Sequence, residues 1–450
     1  MTTEIQVEDT ASAEWTARSL KSVWHPCTQM KHHEQVPLLT VKRGQGVWLY
    51  DEDGKRYFDA ISSWWTNLFG HCNPDISNAI KSQLDTLEHA MLAGCTHEPV
   101  VELSERLSAL TGGMLGHCFY GSDGASAIEI ALKMSFHYWK NNGHPEKQEF
   151  VCLEHSYHGE TIGALAVTDV TLFKDNYAPL IRNANLVPNP DPRNALPGET
   201  DKDVAFRAAA QLEALLKEKG DRIAALIIEP LVQCAAGFIM YHPVYIKLAR
   251  ELCDRYRVHL ICDEIAVGMG RTGSFFACDQ ADTRPNMFCL SKGITGGFLP
   301  LSIVMCTDRI YQAFYDDDVT RGFLHSHSYT GNPLACRAAL AVLDIFDKKR
   351  MIAANRLLSG VLTKALEPIK QDSRVRNFRN RGMLWAFDVE MTPEEQVTFP
   401  RRFFESGLRH ELLIRPIGNT VYLMPPYVMT AEQAVWVADR VQTVMAEVLA

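Results

Sequence analysis

The heptapeptide "HLICDEI", residues 259–265, runs through four largely apolar residues into an acid, Asp263. A short apolar run of this kind reads as a strand buried on both faces. An unpaired carboxylate at its end would be expensive, so Asp263 requires a cationic or hydrogen-bonding partner. The same signature returns 29 residues later, where Lys292 follows the apolar run of "MFCLSKG" and precedes the glycines of "CLSKGITGG" (289–297). An ammonium group is costly to bury and shifts its pKa readily when it is buried. Two ionisable groups at equivalent ends of neighbouring strands point into one cleft, although a purely structural Asp–Lys pair would leave the same trace.

Outward from these strands, residues 76–345 alternate helix-like and strand-like segments: "AIEIALKMSFHYW", "FVCLEH", "AALIIEPLV" and "VYIKLARELCDRYR" among them. This alternation predicts an α/β fold whose sheet is mostly parallel and covered by helices on both faces. In such sheets ligands bind beyond the carboxyl ends of the strands. The Pro-, Asn- and Asp-rich stretch "VPNPDPRNALPGETD" is expected on the surface. Residues 1–75 and 346–450 read differently, with short strands such as "GVWLYDEDGKRYFDA" and amphipathic helices, and are expected to form together a smaller α+β domain beside the large one at 76–345.

The chain's 450 residues, 46% of them apolar, suit a globular enzyme, and a net charge of −9 argues against binding nucleic acid through a basic surface. Twelve cysteines include no C-x-x-C pair, and several lie in apolar runs, as expected of buried free thiols in a reducing compartment. No metal site is indicated. The start, "MTTEIQVEDTASAEW", lacks the plan of a signal peptide, and no apolar run approaches the length of about 18 residues needed to span a membrane. A cytoplasmic protein acting on small molecules is expected.

Two further stretches bear on the cleft. In "FYGSDGASAIEIALKM" a strand runs into Gly121, Ser122, Asp123 and Gly124 before a helix, whose amino end offers free N–H groups and suits a phosphate; most such turns are only caps. In "HSYHGETIGALAV" Tyr157 and His158 directly follow a strand, and an aromatic in such a place often serves packing alone. Taken together, a lysine for imine formation, an acid for a pyridinium nitrogen, a phosphate cradle and a ring-stacking aromatic are what pyridoxal phosphate requires.

The ordered set "GSDGAS", "SYHG", "IIEP", "DEI", "GRTG", "SKG" and "HSYTGNP" resembles the class III aminotransferases, enzymes of fold type I dependent on pyridoxal phosphate, over nearly the whole chain. The resemblance implies Lys292 as the Schiff-base lysine, Asp263 as partner of the pyridine nitrogen, and Tyr157, beside His158, stacked on one ring face with Ile265 against the other. It implies a phosphate turn at Ser122, Gly124 and Ala125, the last a position that often carries a hydroxyl in the family. Gln233 is implied near the ring's phenolic oxygen. Ser328 would reach the phosphate of the neighbouring subunit in a homodimer.

The chain ends, "VWHPCTQM", "ISSWWTNLFGH" and "IRPIGNTVYLMPPY", resemble the branch of that family that aminates 8-amino-7-oxononanoate to 7,8-diaminononanoate in biotin biosynthesis, with S-adenosylmethionine as amino donor. A long apolar acceptor ending in a carboxylate calls for aromatic walls and one fixed cation. Trp64, Trp65 and Tyr422 supply the walls, Arg415 supplies a planar fork, and Arg271 is a further candidate contact. Cys27 stands where the adenosylmethionine-using relatives carry a tyrosine, and "CTQM" is also similar to relatives that take the amino group from lysine. Lysine as donor, or another class III reaction on ω-amino acids or amines, is the alternative.

Overall fold

The structure, a computed structural model, describes residues 11–34, 36 and 38–450. The first ten residues, which carry most of the acidic start considered above, lie outside the described residues. The apolar runs build one seven-stranded sheet: β1 (His117–Gly121), β2 (Glu149–Leu153), β3 (Asn185–Val187), β4 (Ile223–Ile228), β5 (His259–Asp263), β6 (Met287–Leu290) and β7 (Ser302–Cys306). Across the sheet their order is β1-β7-β6-β5-β4-β2-β3. β7 runs antiparallel to both of its neighbours, and the remaining pairs are parallel.

All residues of β4, β5, β6 and β7 are buried, which is why these strands show no polar–apolar alternation in the sequence. Successive side chains enter different cores. Leu226, Ile228, Leu260 and Cys262 join the larger core, with residues of helices α2 (Asp201–Lys219) and α3 (Val244–Arg255), while Ala225, Ile227 and Ile261 meet the buried face of α1 (Gly124–Asn141). In register, Ile228 lies opposite Cys262, and Asp263 opposite Cys289. The carboxyl ends of β4, β5 and β6 therefore finish side by side.

The two ends of the chain meet in a separate four-stranded sheet. Val41–Gln45, Trp48–Asp51 and Arg56–Asp59 form an antiparallel meander, and Leu412–Leu413 adds to it parallel to the third strand. Val375–Arg381, Leu384–Val389 and Thr420–Leu423 make a further antiparallel sheet. The loop expected on the surface at 187–201 is only partly there: Asn189 and Asp191 are buried, Asn189 donating its amide to Gln233 Oε1 at 2.9 Å and Asp191 pairing with Arg193 at 2.7 Å. Among the described residues no helix is long and apolar enough to cross a membrane.

Candidate active site

A cavity of about 1070 Å³ opens beyond the carboxyl ends of β4, β5 and β6, roofed by residues from both chain ends. It brings together Gly124, Ala125, Tyr157, His158, Asp263, Ile265 and Lys292 with Trp64, Trp65, Arg415 and Tyr422. Lys292 follows β6 with φ near 47°, a left-handed conformation that costs a side-chain-bearing residue energy and that turns the chain sharply at this point. Its Nζ lies 5.0 Å from the centre of the Trp65 ring, and no hydrogen-bonding or ion-pair partner for it is found among the described residues. Burial pushes its pKa below the usual lysine value, against the opposing charges of Asp263, Cys234 and Glu229.

Asp263 is held from two sides. Its Oδ1 accepts the Ile265 N–H at 3.0 Å, and its Oδ2 lies 2.7 Å from His158 Nδ1. The imidazole is buried and its Nε2 has no partner, so the ring is committed to Asp263. Tyr157 is fixed at both ends: its N–H donates to Glu229 Oε1 at 3.0 Å and its hydroxyl to Glu160 Oε1 at 2.8 Å. Burial raises the phenol's pKa further above its ordinary value, and Glu160 adds to the effect.

The amino end of α1 forms one wall. Asp123 caps the helix by accepting the Ser126 N–H, which leaves the amides of Gly124 and Ala125 without intrahelical acceptors where they line the cavity. Two glycines make this wall possible. A Cβ on Gly124 would press on Ile265 at 3.2 Å, and one on Gly159, whose φ is +119°, would stand 2.7 Å from Ala125 Cβ. Ile265 is thus closely packed beside the turn.

The two tryptophans diverge. Ser62, Ser63, Trp64 and Trp65 all have positive φ, 46° to 75°, a left-handed turn that the sequence does not announce. Trp65 is buried and donates its indole N–H to the Tyr422 hydroxyl at 3.2 Å. Trp64 is 46% exposed, at the mouth, with the Arg415 guanidinium 5.5 Å from its ring centre. Arg415 Nη2 also donates to the Cys27 carbonyl at 3.4 Å.

Four expected residues stand apart from the cavity. Arg271 was expected as a substrate contact, but it is fully buried, donating to the carbonyls of Pro425 at 2.9 Å and Asn67 at 3.1 Å and packed on the Tyr427 ring. Its guanidinium ties the roof to the large sheet. Gln233 was expected near a ring oxygen, yet its amide is used by Asn189 and by the Glu154 carbonyl. Ser122 is half-buried behind the phosphate-like turn, and Ser328 is exposed on the loop before the helix Pro333–Lys349.

The cavity also holds acids that the sequence reading passed over. Glu229 directly follows β4 where Asp263 closes β5, after an equally apolar run, and that likeness was the available signal. Its pKa is pushed up to about 8, by burial first and by Asp263 next, against two backbone N–H donors and Lys292. Glu160 lies 3.8 Å from Cys27 Sγ, and burial with this carboxylate raises the thiol's pKa. Among the described residues no group of three His, Cys, Asp or Glu side chains is placed to hold a metal ion.

A family model for class III aminotransferases matches residues 29–445. The chain belongs to the class III aminotransferase family. The adenosylmethionine-8-amino-7-oxononanoate aminotransferase of Helicobacter pylori is 45% identical to this aminotransferase over 423 residues, which cover 93% of this chain and 94% of that one. The crystal structure of the enzyme of the same name from Methanocaldococcus jannaschii superposes with a TM-score of 0.90 at 32% identity, over 96% of this aminotransferase and 99% of that chain. An amine transaminase from an uncultivated Pseudomonas species, solved in its PLP-bound form, gives a TM-score of 0.89 at 30% identity over 95% and 98%. The aminotransferase therefore has the fold type I architecture expected from its sequence, a large helix-covered sheet with an α+β part beside it.

Proposed function

We propose that this aminotransferase converts 8-amino-7-oxononanoate to 7,8-diaminononanoate in biotin biosynthesis, with pyridoxal 5'-phosphate as cofactor and S-adenosylmethionine as amino donor. The observation that carries the reading is the likeness at 45% identity to an enzyme of that name, spanning nearly the full length of both chains. The cavity has the matching chemistry. Its walls are aromatic and aliphatic, one guanidinium stands at the mouth, and one amine stands at the floor.

The cofactor suits the residues present. Lys292 offers a half-buried amine without a competing partner, Asp263 a carboxylate anchored by His158, and Gly124 and Ala125 two free amides for a phosphate. When bound, pyridoxal phosphate supplies an aldehyde for covalent capture of amines and a ring that withdraws electrons from the adjoining carbon. The protein does the rest. Asp263 would hold the proton on the ring nitrogen, while Tyr157 and Ile265 would confine the ring from its two faces. Lys292 Nζ, whose proton affinity burial lowers, would move the proton to and from the substrate carbon that bears nitrogen. Arg415 would grip the acceptor's carboxylate, while Trp64 and Trp65 cover its chain and exclude water.

The same reading assigns Ser328 from a second copy of the chain to the phosphate end, in a homodimer with shared sites. Residues 1–75 and 346–450 would act as one smaller unit over the large domain at 76–345, and a cytoplasmic location suits a biosynthetic role. Cys27 at the cavity wall, in place of an aromatic, favours lysine as the second candidate donor. A donor survey with 8-amino-7-oxononanoate as fixed acceptor separates the two, and turnover with neither donor would sink the assignment. Lys292→Ala is expected to lower turnover by at least about 10²–10⁴-fold and to remove the visible absorbance of the lysine-bound cofactor. Arg415→Ala should raise KM for the keto acid about tenfold to hundredfold, the worth of one charged hydrogen-bonded contact, with little change for the donor.

A further inference from the structure

The carboxyl ends of β4, β5 and β6 carry three ionisable groups in a row: Glu229, Asp263 and Lys292 all line the cavity. Two of them have evident tasks in the reading above. Glu229 has none. Glu229 is 5% exposed, and its carboxylate receives no side-chain donor among the described residues. Instead Oε1 accepts the N–H of Tyr157 at 3.0 Å and Oε2 the N–H of Cys234 at 3.2 Å. Tyr157 follows β2 and Cys234 follows the short strand Val232–Gln233, so one carboxylate clamps two loops on either side of the site. Its own backbone is pinned as well, the Tyr241 hydroxyl donating to the Glu229 carbonyl at 2.6 Å.

A neutral amide could not make both of these contacts, since it has one acceptor oxygen and a carboxylate has two. A burial cost of this size needs a return beyond fastening loops. Ile228 and Cys262 are register partners, so Glu229 and Asp263 are the next residues along adjacent parallel strands, where side chains leave the same face about 5 Å apart. Asp263 is already committed to His158 and to the Ile265 amide. The groups facing Glu229 are Asp263 and Lys292 from the neighbouring strand ends, Cys234 from the hairpin, and Tyr157 with His158 from the loop after β2. Lys292 is the one cation named among them.

We propose that Glu229 is a positioning residue of the amino-transfer site: its carboxylate fixes the backbone of Tyr157 to that of Cys234, and its negative charge favours the protonated form of the nitrogen on Lys292. As pH rises through about 8, the acid gives up its own proton, and the charge so gained delays loss of the proton at residue 292. The two titrations are then coupled, and the lysine's depressed affinity is kept from falling further.

This inference rests on Lys292 as the lysine that carries the cofactor. The experiment is a pH titration of the visible absorbance of purified holoenzyme for wild type, Glu229→Gln and Glu229→Asp, with cofactor dissociation measured on the same samples. The expected result is a broad transition in wild type and a sharper one in Glu229→Gln, with its midpoint lower by about one pH unit. Glu229→Asp, which keeps the charge but shortens the reach, should hold the wild-type midpoint and release cofactor faster. A Glu229→Gln midpoint equal to wild type overturns the electrostatic role. Should that variant not fold, a Glu229→Asp midpoint as low as the one expected for glutamine overturns it equally. A wild-type protein with no such absorbance would instead sink the cofactor assignment itself, and so the two failures are distinct.

Discussion

Replacing Asp59 tests what holds the tryptophan turn. Four consecutive residues without glycine, Ser62 to Trp65, sit at positive φ. At about 1–2 kcal/mol each, the turn stores about 4–8 kcal/mol of backbone strain. Asp59, fully buried, is its main restraint: Oδ1 accepts the Ser63 N–H at 2.9 Å, and Oδ2 takes the Ser63 hydroxyl at 2.7 Å and faces His71 Nε2 at 3.0 Å. Ser62 adds a bond from its hydroxyl to the Met424 carbonyl at 2.6 Å. Asp59→Ala removes the three contacts on a carboxylate shielded from water and should cost about 3–5 kcal/mol in urea unfolding followed by tryptophan fluorescence. It should also weaken keto-acid binding, because Trp64 and Trp65 lose their orientation. Adding Ser63→Gly to Asp59→Ala should recover about 1 kcal/mol, since glycine adopts left-handed backbone freely. In the wild-type background the same change also forfeits the Ser63–Asp59 bond and should be near neutral. Asp59→Ala with an unchanged urea midpoint, or a double variant less stable than the single one, would refute the reasoning.

Gly159→Ala forces a Cβ to within 2.7 Å of Ala125 Cβ at a φ of +119°, so the amino end of α1 must shift. The expected outcome is a holoenzyme that loses pyridoxal phosphate at least about tenfold faster, read by gel filtration and absorbance, the equivalent of about 1.4 kcal/mol. His259 is buried beside Trp139 with its Nδ1 2.9 Å from the Ser135 hydroxyl, and burial with nearby Arg250 and Arg309 pushes its pKa down to about 3. The unfolded chain binds this proton below about pH 6.5 and the folded one does not, so stability is full above that pH and falls as pH drops towards 3. The full loss is about 5 kcal/mol, and His259→Gln should flatten the slope of stability against pH between these limits. An unchanged acid limb in that variant would assign the slope to other groups.

The sequence by itself determined the parts that follow from local pattern. Fully apolar runs such as "LIC" and "ALII" read as strands buried on both faces, and an acid or lysine just past such a run needs either a partner or a cleft, which is how Asp263 and Lys292 were legible. The same rule would have found Glu229 had it been applied to "IIEP". Tertiary structure alone decided the rest, because the deciding contacts join residues hundreds of positions apart. Arg271 reads as a free cation in "GRTG", yet the carbonyls of Asn67 and Pro425 claim it. Gln233 Oε1 accepts from Asn189, a pairing across 44 positions, and the paired tryptophans were divided by a left-handed turn held from Asp59 and Met424. Periodicity reports which face of an element is apolar; it carries no information on which distant carbonyl or carboxylate will satisfy a given side chain, and those pairings set the shape of the cavity.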